Sequence, residues 1–186
     1  MNATVPGAAH PAPSRRDLLT GQFELTWSLF EYHLERLEPE DFLWEPAAPS
    51  WTLHRTADGT WVPDWAETEP DPVPVPTIAW LTWHLGWWWS VTLDHLDGRP
   101  PRERADIVWP GEGAPTLQWL RTLRTEWLTA LARLTDTDLD ATAPFPWPDD
   151  PAHSVADMLA WANAELMKNV AEIGQLRLFR AVSRPG

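Results

Sequence analysis

The sequence predicts an all-α protein, most simply a four-helix bundle with long connections rich in proline and tryptophan. Four segments repeat apolar residues every three or four positions, the spacing of one helix face. No segment shows the strict alternation of a half-buried strand. The 186 residues are 44% hydrophobic and include 15 tryptophans, enough for one domain to bury a core. We predict a disordered tail over residues 1–14 and a single domain over residues 15–183.

The first predicted helix covers residues 15–37, and Pro39 ends it. Residues 38–76 then form a long connection, with one short helical turn near residues 39–44. Its four tryptophans carry too much apolar area to be left in water. We therefore expect this connection to fold back over the helices, either as a functional lid or as a packed surface loop without function.

The remaining three helices are predicted from apolar periodicity and from their end signals. Residues 77–96 are apolar almost all round, which is typical of a core helix, and Thr77 suits its N-cap. Residues 115–134 begin with proline, which is favoured in a first turn. Residues 154–182 begin with Ser-Val-Ala-Asp, a capping-box-like pattern in which Asp replaces Glu. An acidic turn is expected after the third helix.

Composition excludes several classes of function. The chain has 14 Lys and Arg against 27 Asp and Glu, a net charge of -13, and no local basic patch, so we expect no nucleic-acid partner. Cysteine is absent, so any thiol chemistry must use an external thiol. The most apolar run, residues 78–93, is shorter than the ~20 residues of a membrane span. We expect a cytoplasmic protein that does not enter a membrane.

Two stretches hold the candidate site residues. His84 is the single imidazole among five tryptophans in residues 77–93. It is either a functional group or a core histidine satisfied by its surroundings. On the fourth helix the spacing of three, four and seven residues places one set of polar side chains on one stripe. This stripe is either a site or a solvated helix face; it contains Glu165, Lys168, Asn169 and Glu172.

Position along the helices relates these two stretches. If the fourth helix runs antiparallel to the second, a rise of ~1.5 Å per residue places Glu172 and His84 at similar levels. The same rise places His33, on the first helix, close to that level. The tryptophan-rich connection joins the first two helices at this end. We therefore expect a small-molecule site under the connection, as is common in helical bundles.

Three short stretches resemble the DinB-like superfamily, in its actinobacterial branch. They are Glu-Asp-Phe-Leu-Trp-Glu-Pro at residues 40–46, Thr-Ile-Ala-Trp-Leu-Thr-Trp-His-Leu at 77–85, and Ala-Glu-Ile-Gly-Gln-Leu-Arg at 171–177. The resemblance extends over residues 17–182. It implies a four-helix bundle of up-down-down-up order, often a homodimer. Relatives of this kind include mycothiol- or bacillithiol-dependent transferases and maleylpyruvate isomerase.

The resemblance also implies a metal site. In metal-binding members one histidine of the second helix and a His/Glu-x-x-x-His pair of the fourth hold a divalent ion such as Zn, Ni or Mn. These positions correspond to His84, Lys168 and Glu172. Lys168 departs from the pattern, because an ammonium only donates hydrogen bonds. What remains is a two-ligand site of His84 and Glu172, or a bridge from Lys168 to Glu172 that replaces the ion.

Two functions follow from these residues and from the resemblance. The protein is a thiol-dependent transferase or a related small-molecule enzyme, with His84, Glu172 and Lys168 as catalytic residues and an external thiol such as mycothiol as the nucleophile. Alternatively, it is a non-catalytic bundle that binds a small molecule or a partner through its tryptophan-rich end, its metal site having degenerated. The sequence leaves both open.

Overall fold

A computed structural model describes residues 13–183 and is mainly helical, as the sequence predicts. Most of the predicted disordered tail lies outside the described residues. No helix in the described part of the chain is long and apolar enough to cross a membrane. The helices are α1 (Arg15–Leu34), α2 (Ile78–Leu96), α3 (Ala114–Arg133), α4 (Asp136–Asp140) and α5 (Val155–Ser183). The short helix α4 occupies the place where an acidic turn was expected.

Local hydrogen bonds at the helix starts explain where the helices begin. The Thr77 hydroxyl accepts the backbone N–H three residues further on, which confirms this residue as the N-cap of α2. Ser154 and Asp157 form a reciprocal capping box, so the aspartate does serve in place of glutamate. Ser14, placed in the tail by the sequence analysis, forms a further capping box with Asp17 at the start of α1.

Contacts between the long helices fix their relative directions. Helix α1 packs on α5 and α3, and α2 packs on α3 and α5. Asn163 donates to the Leu19 carbonyl at 3.0 Å, and Arg177 donates to His33 at 3.3 Å, so α1 and α5 run in the same direction. Ion pairs from Glu24 to Arg124 and from Glu31 to Arg121 make α1 and α3 antiparallel.

Helix α2 lies at the centre of the core and runs parallel to α3. Its Trp89 ring lies 6.0 Å from the Trp127 ring, and Asp97 after its last turn pairs with Arg133. Gly86 lies directly against the Trp119 ring, and a Cβ at position 86 would overlap that ring. The glycine therefore provides the space that lets the indole of α3 approach the backbone of α2.

The connection before α2 contains short strands, so the all-α prediction was wrong for this segment. Four strands form two two-stranded sheets, in which β1 pairs parallel with β4 and β2 pairs antiparallel with β3. A 3-10 turn at Pro39–Asp41 confirms the predicted short turn. Strands of two or three residues are too short to show alternation. The strands are β1 (Ser50–Trp51), β2 (Leu53–Arg55), β3 (Trp61–Pro63) and β4 (Val75–Pro76).

The tryptophans of this connection pack against the core, as their apolar area predicts. Trp51 stacks on Trp80 of α2 with ring centroids 5.0 Å apart. Trp65 makes an edge-to-face contact with Trp87 at 5.4 Å, and Trp44 also packs on the core. The connection therefore covers the end of the helices at which α2 begins. Whether it moves as a lid stays a prediction.

Candidate functional site

The three predicted site residues line one cleft between α2, α5 and the connection. His84 comes from α2, and Lys168 and Glu172 come from α5. The cleft has a volume of about 390 Å³. His84 and Glu172 therefore lie at one level of the molecule, as the helix rise predicts. The connection supplies Trp51 and Trp65 as further walls, and a site under this tryptophan-rich connection is what the sequence predicts, without singling out these two side chains.

The imidazole of His84 is stacked but has an unsatisfied nitrogen. Its ring lies parallel to the Trp80 ring at 4.8 Å and meets the Trp87 ring edge-on at 5.9 Å. Its Nδ1 atom is buried and has no hydrogen-bond partner among residues 13–183. Burial lowers the pKa of His84 to about 4, and the charge of Lys168 contributes to this shift. The imidazole is therefore neutral at neutral pH.

Asn169 connects the site to the core. Its side chain is 1% exposed. The Oδ1 atom accepts the indole N–H of Trp88 at 3.3 Å, and Nδ2 donates to Glu172 Oε2 at 3.0 Å. The amide thereby fixes the position of the Glu172 carboxylate. The sequence placed Asn169 on the polar stripe but did not predict this contact, because its indole partner lies on another helix.

The predicted bridge from Lys168 to Glu172 is wrong. Lys168 Nζ pairs instead with Glu165 Oε2 at 3.3 Å, and the lysine side chain is 55% exposed. Helix geometry allows both partners, since Glu165 and Glu172 lie three and four residues away. The buried Asn169 amide donates a hydrogen bond to the Glu172 carboxylate. Lys168 instead extends towards solvent, where it contacts Glu165.

His33 does not line the cleft, although its level was predicted to match. Its Nδ1 accepts a hydrogen bond from Arg177 at 3.3 Å, and its ring packs directly over Gly174. Burial lowers the pKa of His33, and the charges of Arg177 and Arg36 lower it further. This imidazole is a packing group between α1 and α5. Rise along a helix predicts height but not the direction in which a side chain points.

The donor atoms at the cleft do not fit a tightly held divalent ion. Within residues 13–183, no group of three or more His, Asp or Glu side chains is arranged to hold a metal. Protein metal sites of this kind use three or four protein ligands. His84 and Glu172 supply two, Lys168 offers only donors, and the Asn169 oxygen accepts the indole of Trp88. The two-ligand site of His84 and Glu172 stays a prediction.

The chemistry of the cleft is that of recognition by aromatic rings and a few polar atoms. A half-buried carboxylate, a neutral imidazole and three tryptophan walls can hold a ligand with an apolar body and a polar head. The polar atoms are fixed by packing, His84 through its stack on Trp80 and Glu172 through Asn169.

Comparison with known proteins supports the fold and identifies the family. The family model described as the DinB superfamily matches residues 22–173, from α1 to the cleft residues of α5. The solved structure described as the crystal structure of the conserved protein of locus from Enterococcus faecalis is similar, with a TM-score of 0.60 at 12% identity, over 89% of this chain and 96% of that chain. A search of curated proteins gave no match. Because the family match spans most of its length, the chain belongs to the DinB superfamily.

Proposed function

We propose that this member of the DinB superfamily binds a small organic molecule in the cleft between α2 and α5. The observation that carries the proposal is His84, an imidazole that lines the cleft with a buried nitrogen unpartnered within the described residues. An unsatisfied buried polar atom costs about 1–3 kcal/mol. Buried atoms without a partner in residues 13–183 also occur in the core, at Ser90 and Trp127. Those of His84 and Trp65 belong to side chains that line the cleft, and such inconsistencies are expected at functional sites.

The size and lining of the cleft support the same proposal. Sites for small molecules are concave, of roughly 300–1,000 Å³, with apolar walls and few polar groups. This cleft has about 390 Å³, tryptophan and proline walls, and polar atoms from His84, Asn169 and Glu172. We further propose that the four long helices form an up-down-down-up bundle. In support, α1 is parallel to α5 and antiparallel to α3, and α3 is parallel to α2.

A thiol-dependent transferase is the less supported function. In that reaction His84 would take the proton of an external thiol such as mycothiol. A thiol has an ordinary pKa of about 8.5, and the pKa of His84 is about 4. The transfer is then unfavourable by about 6 kcal/mol. Binding needs no such transfer, so the cleft suits recognition better than proton abstraction. The homodimer that the resemblance implies stays a prediction.

The proposal is tested with three probes that share a phenylethyl frame. They are 2-phenylethanol, phenethylammonium and 3-phenylpropionate, which are neutral, cationic and anionic. At least one should shift the indole N–H signals of Trp51, Trp65 and Trp80 in ¹H–¹⁵N spectra at millimolar concentration, with signals assigned from single Trp→Phe variants. His84→Phe should abolish this shift, because it removes the polar ring edge from the cleft.

A matched control is available at another stacked histidine. His153 stacks on Trp147 at 4.1 Å, as His84 stacks on Trp80, but it lies outside the cleft. His153→Phe should leave probe binding unchanged. If none of the probes shifts the cleft indoles, the cleft is not a ligand site. If a probe binds and the two variants behave alike, His84 is not part of the site.

The two-ligand metal hypothesis has its own measurement. If His84 and Glu172 hold an ion, elemental mass spectrometry of the purified protein should find near-stoichiometric Zn, Ni or Mn that His84→Ala removes. A protein that carries no such ion, and whose thermal unfolding is unmoved by added divalent ions, contradicts it.

A further inference from the structure

The charged side chains around the cleft are mainly acidic. Glu69 and Glu172 line it, against one ammonium, Lys168, among the described lining residues. That ammonium pairs with Glu165 at 3.3 Å, so a carboxylate from outside the cleft offsets part of its charge, although the ammonium still lowers the pKa of His84. The net charge of -13 on the whole chain adds a negative background. The electrostatic potential in the cleft therefore favours a positive ligand over a negative one.

The aromatic walls favour the same sign of charge. The faces of tryptophan rings carry negative partial charge and attract cations. The molecule itself demonstrates this at one wall, because the Arg104 guanidinium lies 4.1 Å from the centroid of the Trp65 ring. Glu67 pairs with Arg104 at 3.2 Å and offsets its charge. The Trp65 indole thus already holds a cation of the chain, although Arg104 itself does not line the cleft.

The polar atoms at the base of the cleft can complete the recognition of an ammonium group. Glu172 accepts one hydrogen bond from Asn169 at Oε2, and a carboxylate has capacity for several more. His84 contributes no positive charge at neutral pH, since burial lowers its pKa to about 4. A neutral ligand would leave the half-buried carboxylate without a charged partner, and an anion would be repelled by it.

Building on the proposed function, we propose that the ligand of this cleft is an organic cation, an ammonium group attached to a flat apolar body. The ammonium group faces Glu172, and the apolar body lies against Trp51 and Trp65. This assignment names a substrate class for the cleft without a resident metal ion or a thiol.

The three phenylethyl probes test this assignment because they share one apolar body and carry a neutral, a positive or a negative group at its end. In isothermal titration calorimetry of the full chain at pH 7, phenethylammonium should bind about tenfold more tightly than 2-phenylethanol, the effect of one charge-assisted hydrogen bond. Binding of 3-phenylpropionate should be weaker than that of either. Added salt should weaken the binding of phenethylammonium and leave that of 2-phenylethanol unchanged.

Charge variants make the test specific to the cleft. Glu172→Gln should weaken phenethylammonium binding about tenfold and change 2-phenylethanol binding less than about twofold. Glu45→Gln is the matched control, because it makes the same change in net charge at an exposed position outside the cleft, and it should leave both affinities unchanged. Lys168→Gln should act in the opposite direction and tighten phenethylammonium binding about threefold.

The outcomes separate this inference from the proposed function. If 2-phenylethanol binds the cleft as tightly as phenethylammonium and Glu172→Gln has no effect, the cation assignment fails while the binding function stands. If 3-phenylpropionate binds most tightly and Lys168→Gln removes that binding, the ligand is an anion and the assignment is overturned. If no probe shifts the cleft indoles, the binding function fails, and the assignment fails with it.

Discussion

His84 and Asp94 lie on the same apolar helix, α2, but the two polar groups differ in whether their buried atoms have partners. Asp94 is 3% exposed, and its carboxylate accepts hydrogen bonds from the guanidinium groups of Arg99 and Arg102 and from the Arg102 backbone. His84 Nδ1 is also buried, yet it has no partner within the described residues. Hydrogen bonds therefore offset the cost of burying the Asp94 carboxylate, whereas nothing in the described residues offsets the cost of burying Nδ1 of His84.

The comparison shows why cavity size is a poor guide to function here. The groove beside Asp94 has about 780 Å³, twice the volume of the cleft at His84. Most of its charged lining is already paired, with Asp94 joining Arg99 and Arg102 and Asp97 joining Arg99 and Arg133. A ligand in that groove would have to displace existing ion pairs. In the cleft at His84, Glu172 accepts a hydrogen bond from Asn169 and forms no ion pair within the described residues, so a ligand there would displace none from it.

The largest expected difference between the two groups is in pH dependence. The pKa of His84 is about 4 in the folded state and about 6.5 in an unfolded chain, so the unfolded state binds more protons between these values. The contribution of His84 to the free energy of unfolding is therefore complete above pH 6.5, and it falls by up to about 3 kcal/mol as the pH drops to 4. Urea unfolding from pH 7.5 to 4 should show this fall.

His84→Gln isolates this contribution. The variant keeps His33 and His95, whose pKa values burial also lowers, so their contributions remain in both proteins. The difference in stability between wild type and variant should change steadily between pH 6.5 and 4. Parallel curves over this range would mean that His84 is not a buried neutral imidazole.

Asp94 should give the second largest effect and a different pH window. Asp94→Ala should lower the free energy of unfolding by about 2 kcal/mol at pH 7. The loss is smaller than for a fully buried pair, because Arg99 and Arg102 are partly exposed and can reach water. Burial alone would raise the pKa of Asp94, but hydrogen bonds from the two arginines outweigh it and lower the pKa.

The lowered pKa fixes the sign of the pH effect at Asp94. Its contribution is present above the ordinary value of about 3.9 and is lost below it, whereas that of His84 is already declining at pH 5. Asp97→Ala is the control, because this more exposed carboxylate forms surface ion pairs worth less than about 1 kcal/mol. Equal losses for the two variants, measured by urea unfolding, would remove the contrast between buried and surface pairs.

A smaller effect is expected at the two buried asparagines of α5. Asn169 holds Trp88 and Glu172, and Asn163 holds the Leu19 carbonyl and Gln22 on α1. Substitution of either asparagine by alanine should lower the free energy of unfolding by about 1.5 kcal/mol, because each removes two hydrogen bonds made by a buried amide. Only Asn169→Ala should also weaken probe binding in the cleft. Loss of binding in both variants would indicate a general loosening of α5.

Sequence predicted those features that depend on neighbouring residues. The first residues of α2 and α5 follow from their N-cap signals, Thr77 for α2 and Ser154 with Asp157 for α5. The hydrogen bonds of these caps span only three positions. The strands in the connection escaped prediction, since the parallel pair joins Ser50 to Val75 and neither strand is long enough to show a period.

The sequence predicted how far along the helices the site residues lie, but it did not predict the directions in which all their side chains point. Rise along the helices placed His84 and Glu172 at one level, and both line the cleft. It placed His33 at the same level, but the absence of a side chain at Gly174 lets that ring pack against α5 elsewhere. The sequence also could not determine the partner of Lys168, because helix spacing permits an ion pair with either Glu165 or Glu172. The hydrogen bond from Asn169 to Glu172 leaves Glu165 as the partner.

The smallest expected loss of stability is the most informative about function. His84→Phe should not lower the free energy of unfolding at pH 7 and should raise it by up to about 1–3 kcal/mol, because phenylalanine retains the stack on Trp80 and removes the unpartnered nitrogen. Probe binding should be lost, since the polar ring edge is gone from the cleft. If urea unfolding instead shows a loss near the 2 kcal/mol expected for Asp94→Ala, His84 is a structural group like Asp94. A stability that is unchanged or raised, together with lost binding, would identify it as a residue kept for its ligand.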